Sequence, residues 1–202
     1  MIFEQIRKRG DNFSYLIADE DSGFAAVVDP SGNQKEILRL IGEKKLKLLY
    51  VFLTHSHPDH TPGTDYLAKK AGAKVVAHEL SPMRKDLTVT DGQILNVGNL
   101  TFKIMHTPGH SSDGICVVVN TKILTGDTLF VRECGRTDLV GGDSVKMYDS
   151  LNRIKSLPEE MEVWPGHDYG PAPSSTIGEE KRKNYTLEER TLEDFIEFMK
   201  EP

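Results

Sequence analysis

Three of the chain's seven histidines fall within one hexapeptide, His55-Ser56-His57-Pro58-Asp59-His60. Imidazole and carboxylate are borderline-to-hard donors that suit zinc, iron or manganese, and no thiol stands among them. In an extended segment, residues two apart point the same way, so His55 and His57 face one point. Pro58 fixes its own φ and keeps His57 out of the helical region. The chain then turns, which directs Asp59 and His60 toward a second point. Taken alone, the hexapeptide also fits a solvated polar loop. Three later segments add to it: Thr107-Pro108-Gly109-His110, Leu124-Thr125-Gly126-Asp127 and Trp164-Pro165-Gly166-His167. Each places a potential ligand on a glycine-containing turn directly after an apolar strand, where glycine permits a sharp bend and close backbone approach. Any one of them is an ordinary turn; together they form a pattern. His78 and His106 stand outside it and are read as surface or satisfied core, with His106 near the site at a strand end.

These side chains need a scaffold that brings distant turns together. Phe13–Ala18 and Phe24–Val28 are apolar runs separated by Asp19-Glu20-Asp21-Ser22-Gly23, which is hairpin chemistry. Residues 35–41 have helical spacing. Residues 46–53 are short and nearly all apolar, a central strand buried on both faces that runs straight into the histidine cluster. Thr61-Pro62 reads as a helix start, a capping hydroxyl followed by proline, with the helix ending near Gly72. Residues 74–78 form a strand. Residues 93–97 and 100–105 form a hairpin turning at Gly98-Asn99, and residues 115–119 and 122–125 form another turning at Asn120-Thr121. Residues 144–156 have helical periodicity, 161–164 form a late strand, and 191–200 form a helix with Thr191 and Asp194 in capping-box spacing. This order predicts an α+β fold, an αββα sandwich of two packed sheets with helices outside, as one domain over residues 1–202.

Composition narrows the function classes. The chain has 202 residues, of which 38% are hydrophobic and 28% charged, with a net charge of −6. That acidity argues against a nucleic acid as the main partner. No run of about 18 apolar residues suggests a transmembrane helix, so no membrane partner is expected. The first ten residues lack the apolar core of a signal peptide. With only two cysteines, Cys116 and Cys134, a reducing cytoplasm is the simplest setting. Cys116 sits in an apolar strand and reads as a small core residue.

The hexapeptide carries the H-x-H-x-D-H signature of the metallo-β-lactamase superfamily, which the chain resembles along essentially its whole length. His110, Asp127 and His167 match the later ligand positions in order and context. The resemblance implies a dimetal centre: His55, His57 and His110 on the first metal, Asp59, His60 and His167 on the second, and Asp127 bridging. Two dications, two carboxylates and a hydroxide sum to about +1, a balance that holds a water-derived hydroxide ready near neutral pH. Asp59 is additionally a candidate proton acceptor. Zinc is the expected metal, with iron or manganese as alternatives.

Within the superfamily, His60 and the absence of a late cysteine ligand argue against antibiotic hydrolysis. Gly126-Asp127-Thr128-Leu129-Phe130 with Cys134-Gly135-Arg136-Thr137-Asp138 resembles two glutathione-linked families. One is the glyoxalase II (hydroxyacylglutathione hydrolase) type, in which a basic residue at the position of Arg136 contacts substrate. The other is the persulfide dioxygenases, which His167-Asp168-Tyr169 and residues 175–184 also resemble. These hold one Fe(II) on residues matching His55, His110 and Asp127, a two-histidine, one-carboxylate triad. The leading expectation is a hydrolase of a small-molecule thioester or related ester, and the alternative is the iron dioxygenase. Arg136 is read as a clamp on a substrate carboxylate or as a partner of Asp138. Tyr169 either lines the pocket or packs. Cys134 reads as a structural turn residue, and Lys181-Arg182-Lys183 as a solvated helix face.

Overall fold

The computed structural model describes residues 1–7 and 10–200. Lys8, Arg9, Glu201 and Pro202, which the sequence reading included in its single domain, lie outside them. The first sheet contains β1 (Ile2–Arg7), β2 (Phe13–Ala18), β3 (Phe24–Val28), β4 (Lys47–Phe52), β5 (Lys74–His78) and β6 (Leu87–Val89), side by side in that order. The first three run antiparallel and β3 to β6 run parallel. The second sheet holds β7 (Ile94–Val97), β8 (Leu100–His106), β9 (Ile115–Val119) and β10 (Lys122–Gly126). A two-stranded ribbon follows, β11 (Leu129–Phe130) with β12 (Glu133–Cys134), and β13 (Glu162–Pro165) and β14 (Ser175–Thr176) complete the second sheet in the order β14-β13-β10-β9-β8-β7.

Three layers of apolar side chains hold the sandwich. Between the sheets, Phe13, Ile17, Val28, Phe52 and Val76 meet Phe102, Ile104, Val117 and Leu124, all fully or almost fully buried. Alternate residues of the same strands face outward. Leu16, Val27, Leu48 and Val51 pack on Ile37 of α1 (Gln34–Glu43) and Leu67 of α2 (Thr64–Ala71). On the far side, Cys116, Ile123 and Val163 pack on Met147, Leu151 and Ile154 of α3 (Ser144–Lys155), Ile177 of α4 (Ile177–Lys183) and Phe195 of α5 (Leu192–Phe198). The period-2 strands and period-3.6 helices therefore do what the sequence predicts: two sheets share one core, and each sheet covers its outer face with helices. Thr191 caps α5 by accepting from the Asp194 amide at 3.1 Å.

One boundary differs from expectation. The helix after the histidine cluster begins at Thr64, and Thr61-Pro62 belongs to the preceding turn. The carbonyl of Pro62 is committed to the Gly32 amide at 2.7 Å, and that of Thr61 to the Thr64 amide at 3.1 Å and its hydroxyl at 2.7 Å. Tying this loop to the end of β3 delays the helix by two residues, about half a turn. The strands β1, β6, β11, β12 and β14 and the helix α4 have no counterpart in the sequence reading. Apart from the six-residue β1 each is short, and three of the strands have only two residues.

Candidate metal centre

The strand ends gather at one edge of the sandwich. Immediately after β4, Thr54 is buried, and its carbonyl accepts from Ile115 of the second sheet at 2.8 Å. The His55–His60 loop is thereby fixed against both sheets. β10 breaks register at its end, and Gly126 has φ 49, a left-handed conformation in which a Cβ would lie 2.6 Å from Thr54 Oγ1. The turn after β13 is pinned by two backbone bonds: Phe13 donates to the Gly166 carbonyl at 2.8 Å and Asp168 donates to the Asp11 carbonyl at 2.7 Å.

All seven expected ligands converge. In one cluster, His57 Nδ1 lies 3.1 Å from His55 Nε2 and 2.9 Å from His110 Nε2. In the other, His60 Nε2 lies 3.1 Å from His167 Nε2, and Asp59 Oδ2 lies 3.4 Å and 3.2 Å from those nitrogens. Asp127 reaches both. Its Oδ2 is 3.6 Å from His110 Nε2, 3.9 Å from His55 Nε2 and 3.3 Å from His167 Nε2, and its Oδ1 is 3.3 Å from His60 Nε2. Donors held at 2.0–2.2 Å from one ion stand roughly 3–3.5 Å apart, which is the spacing seen within each cluster. Asp127 Oδ1 is buried and has no hydrogen-bond partner among the described residues. An orphaned carboxylate oxygen facing imidazole nitrogens requires a cation or a proton. The donors thus fit two divalent cations.

The far nitrogens of His55, His60, His110 and His167 are held by the protein, as metal-binding imidazoles require. His55 Nδ1 lies 3.1 Å from Thr54 Oγ1, His110 Nδ1 donates to the Arg136 carbonyl at 2.8 Å, and His60 Nδ1 lies 3.0 Å from Asp29 Oδ2. Asp29 also accepts from the Thr54 amide at 2.8 Å and its hydroxyl at 2.6 Å. Asp11 Oδ1 is 3.4 Å from His167 Nδ1, and Asn12 donates to Asp59 Oδ2 at 3.0 Å. Charge divides the site. Burial, reinforced by neighbouring imidazoles, holds His55 well below the ordinary histidine range, and burial lowers His110, so both are neutral, the ligand form. Burial acts the same way on His60 and His167, but Asp127 outweighs it at both, helped by Asp29 at His60 and by Asp59 at His167. His60 is raised, and His167 is raised to about 9. Asp59 and Asp127 are driven below the carboxylate range because their imidazole partners overcome the cost of burial.

Beside the clusters lies a cavity of about 310 Å³ walled by Phe130, Cys134, Arg136, Leu139 and Tyr169. Tyr169 stacks on His167 with ring centres 4.6 Å apart and planes 8° from parallel. It therefore both lines the pocket and packs. The Arg136 guanidinium sits at the mouth, paired through two 2.5 Å contacts with Asp138. Its backbone carbonyl is the group that anchors His110. Cys116 is buried in the core, as read from sequence, whereas Cys134, read as a turn residue, is buried in strand β12 at the cavity wall. Sequence reasoning missed Asp29, Thr54, Asp11 and Asn12. Asp29 ends an apolar strand just as Asp127 does, a signal that was legible but was spent on the turn it also makes.

The chain belongs to the metallo-beta-lactamase superfamily, whose family model matches residues 7–83 and 79–167. Its relatives carry more than one activity. It is 37% identical over 174 residues to a hydroxyacylglutathione hydrolase of Pelagibacter ubique, covering 84% of this chain and 72% of that protein. It is 34% identical over 192 residues to the mitochondrial persulfide dioxygenase ETHE1 of Homo sapiens, covering 93% and 75%. The crystal structure of ETHE1 from Myxococcus xanthus superposes with a TM-score of 0.95 at 37% identity, covering 100% of this chain and 91% of that one.

Proposed function

We propose that this protein is a metal-dependent hydrolase of glyoxalase II type that cleaves a small-molecule thioester or related ester. The observation that carries the reading is the second cluster. Asp59, His60 and His167 form a complete donor set, separate from His55, His57 and His110 and joined to it by Asp127. Bound there, two divalent cations, zinc in the first instance and iron or manganese from the same donors, supply a hydroxide at neutral pH and polarise the acyl carbonyl. The protein's own groups do the rest. With Oδ2 committed to the cluster and to Asn12, the other carboxylate oxygen of half-exposed Asp59 accepts the proton that the attacking water gives up and returns it to the departing thiolate. Phe130 and Tyr169 exclude bulk water from one side. Arg136 exchanges Asp138 for a substrate carboxylate. The two free, buried cysteines support a reducing, cytoplasmic setting.

A second reading is favoured by the ETHE1 structure, which aligns with the full chain. His55, His110 and Asp127 alone would hold one Fe(II), and the protein would be a persulfide dioxygenase. Metal analysis of protein purified without added metal separates the two. Two metals per chain with thioester hydrolysis is the expected result. One iron per chain with persulfide-dependent oxygen uptake overturns it in favour of the dioxygenase. Asp127→Ala is expected to empty the site, and unchanged metal content in that variant refutes the ligand assignment. Arg136→Ala is expected to raise KM for an anionic substrate with metal content intact, and an unchanged KM removes the clamp.

A further inference from the structure

The donor clusters open on two cavities. On the far side of His57 and Asp59, which line both, lies a groove of about 610 Å³. Pro58 and Pro82 form part of its wall, and the loop carrying Leu139 and Val140 forms another. Val140 is 98% exposed and Leu139 40%, so two aliphatic side chains stand in water beside a charged centre. The groove wall also carries Ser111 and Asp113, respectively 4% and 2% exposed. Ser111 Oγ and Asp113 Oδ2 are buried and have no hydrogen-bond partner among the described residues. Neither residue belongs to a metal cluster. The nearby stacked pair His78 and His106 makes no hydrogen bond to either atom; His78 Nδ1 accepts from the Leu80 amide, and His106 Nε2 lies 3.1 Å from the Ser112 carbonyl. Unmet buried acceptors are rare in folded proteins because each forfeits its hydration. Here two occur together in the wall of a groove that combines prolines and aliphatic side chains with Ser56, His57, Asp59 and Ser112 and reaches the proposed reacting centre.

We infer that this groove binds the second arm of the substrate, an aliphatic chain carrying a nitrogen donor, an amine or amide N–H, that Asp113 accepts with Ser111 beside it. The cleaved bond then lies at the junction, with one arm toward Phe130, Arg136 and Tyr169 and the other along Pro58, Leu139 and Val140. Only the naming of this arm as part of a thioester rests on the hydrolase reading.

The test uses the zinc-loaded protein and linear carboxylates of four to eight carbons, each as an ω-amino acid and as its methyl-terminated isostere. Calorimetry is expected to show that at least one chain length binds roughly tenfold tighter as the amine, the scale of a charge-assisted hydrogen bond to a carboxylate. In Asp113→Asn that preference is expected to fall below about twofold. Equal affinity for every pair in the wild type overturns the inference, since Asp113 is then satisfied by solvent alone. A preference that survives Asp113→Asn also overturns it. The matching pairs of thioesters are then assayed for hydrolysis. If none is cleaved while the binding preference holds, the hydrolase reading falls and the subsite stands. If they are cleaved without amine preference and bound without it, the subsite falls and the hydrolase reading stands.

Discussion

Gly166→Ala tests whether the shared carboxylate organises the centre. A Cβ at Gly166 would lie 2.3 Å from Asp127 Oδ1, 2.8 Å from His60 Cε1 and 3.1 Å from the Gly126 carbonyl carbon, where ordinary contact begins at 3.4 Å. Asp127 must therefore retreat by about 1 Å, or the turn must. The turn has little freedom, because the Gly166 amide donates to the Gly126 carbonyl at 2.8 Å and its own carbonyl accepts from Phe13 at 2.8 Å. Overpacking of this kind costs about 1–3 kcal/mol. Taken from metal affinity, that is roughly a 10–100-fold loss, and it falls on both clusters because Asp127 serves both. Zinc affinity is read by competition with a chromophoric chelator, and thermal melting of the metal-free protein shows how much of the cost falls on the fold instead. Gly42→Ala is the control: it lies in α1 with no atom within 4 Å of the new Cβ and should stabilise the fold by about 0.5–1 kcal/mol without touching metal binding. Two zinc ions bound to Gly166→Ala with wild-type affinity would refute the bridging role of Asp127.

Asp29→Asn keeps the backbone, since asparagine tolerates the left-handed φ of 46 found there. It leaves one acceptor oxygen for the three groups that now share the carboxylate, namely the Thr54 amide, the Thr54 hydroxyl and His60 Nδ1. A loss of about 1–3 kcal/mol in urea unfolding is expected, together with preferential loss of the second metal by elemental analysis; wild-type stability and stoichiometry would show that Asp29 does not orient His60. Burial pushes the thiols up to about 11 at Cys116 and about 12 at Cys134, so at pH 8 the thiolate fraction is roughly one part in a thousand or less. Neither should react with a thiol reagent at pH 8 in the native protein, and both should react in denaturant. Because the folded values are raised, the stability they contribute is complete below about pH 8.5 and is lost as pH climbs through 11–12. Rapid modification of the native protein at pH 8 would contradict their burial.

The candidate donors were legible because metal chemistry demands particular residue types at strand ends, and the recurrence of His110, Asp127 and His167 at such ends adds to the His55–His60 cluster. The long strands and helices were legible because each buries one face with a fixed period, as Leu16 and Ile17 do on opposite faces of β2. The short ribbon β11–β12 was not, because two residues carry no period. Its placement depends on a buried tertiary network instead. Glu180 of α4 accepts from the Arg132 guanidinium at 2.6 Å, the Arg132 amide at 2.7 Å, Ser175 at 2.6 Å and Asn184 at 2.8 Å. Arg132, held at φ 73, is the turn of the ribbon. The segment of residues 175–184, which sequence could only compare with a family, thus supports the wall of the active-site cavity. Asp11 and Asn12 were missed for a similar reason, since nothing local marks a residue whose partner lies 156 positions away, as for Asp11, or 47, as for Asn12.

That distance bears on how one ligand list can serve either one metal or two. The first cluster is anchored from inside the fold, His55 by buried Thr54 and His110 by the Arg136 main chain. The second is anchored partly from outside. Asp29 holds His60 from within, but His167 and Asp59 lean on Asp11 and Asn12, in the segment that precedes β2. The same segment is tied to the β13 turn by Asp168, which donates its amide to Asp11 and also pairs with Arg7. Rings and carboxylates held at the correct distance bind a cation without first losing mobility, so an anchored donor set binds more tightly than an identical loose one. The identity of the seven ligands therefore says little about stoichiometry. The groups that hold the donors bear on it as well, and in this chain Asp11 and Asn12 contact His167 and Asp59.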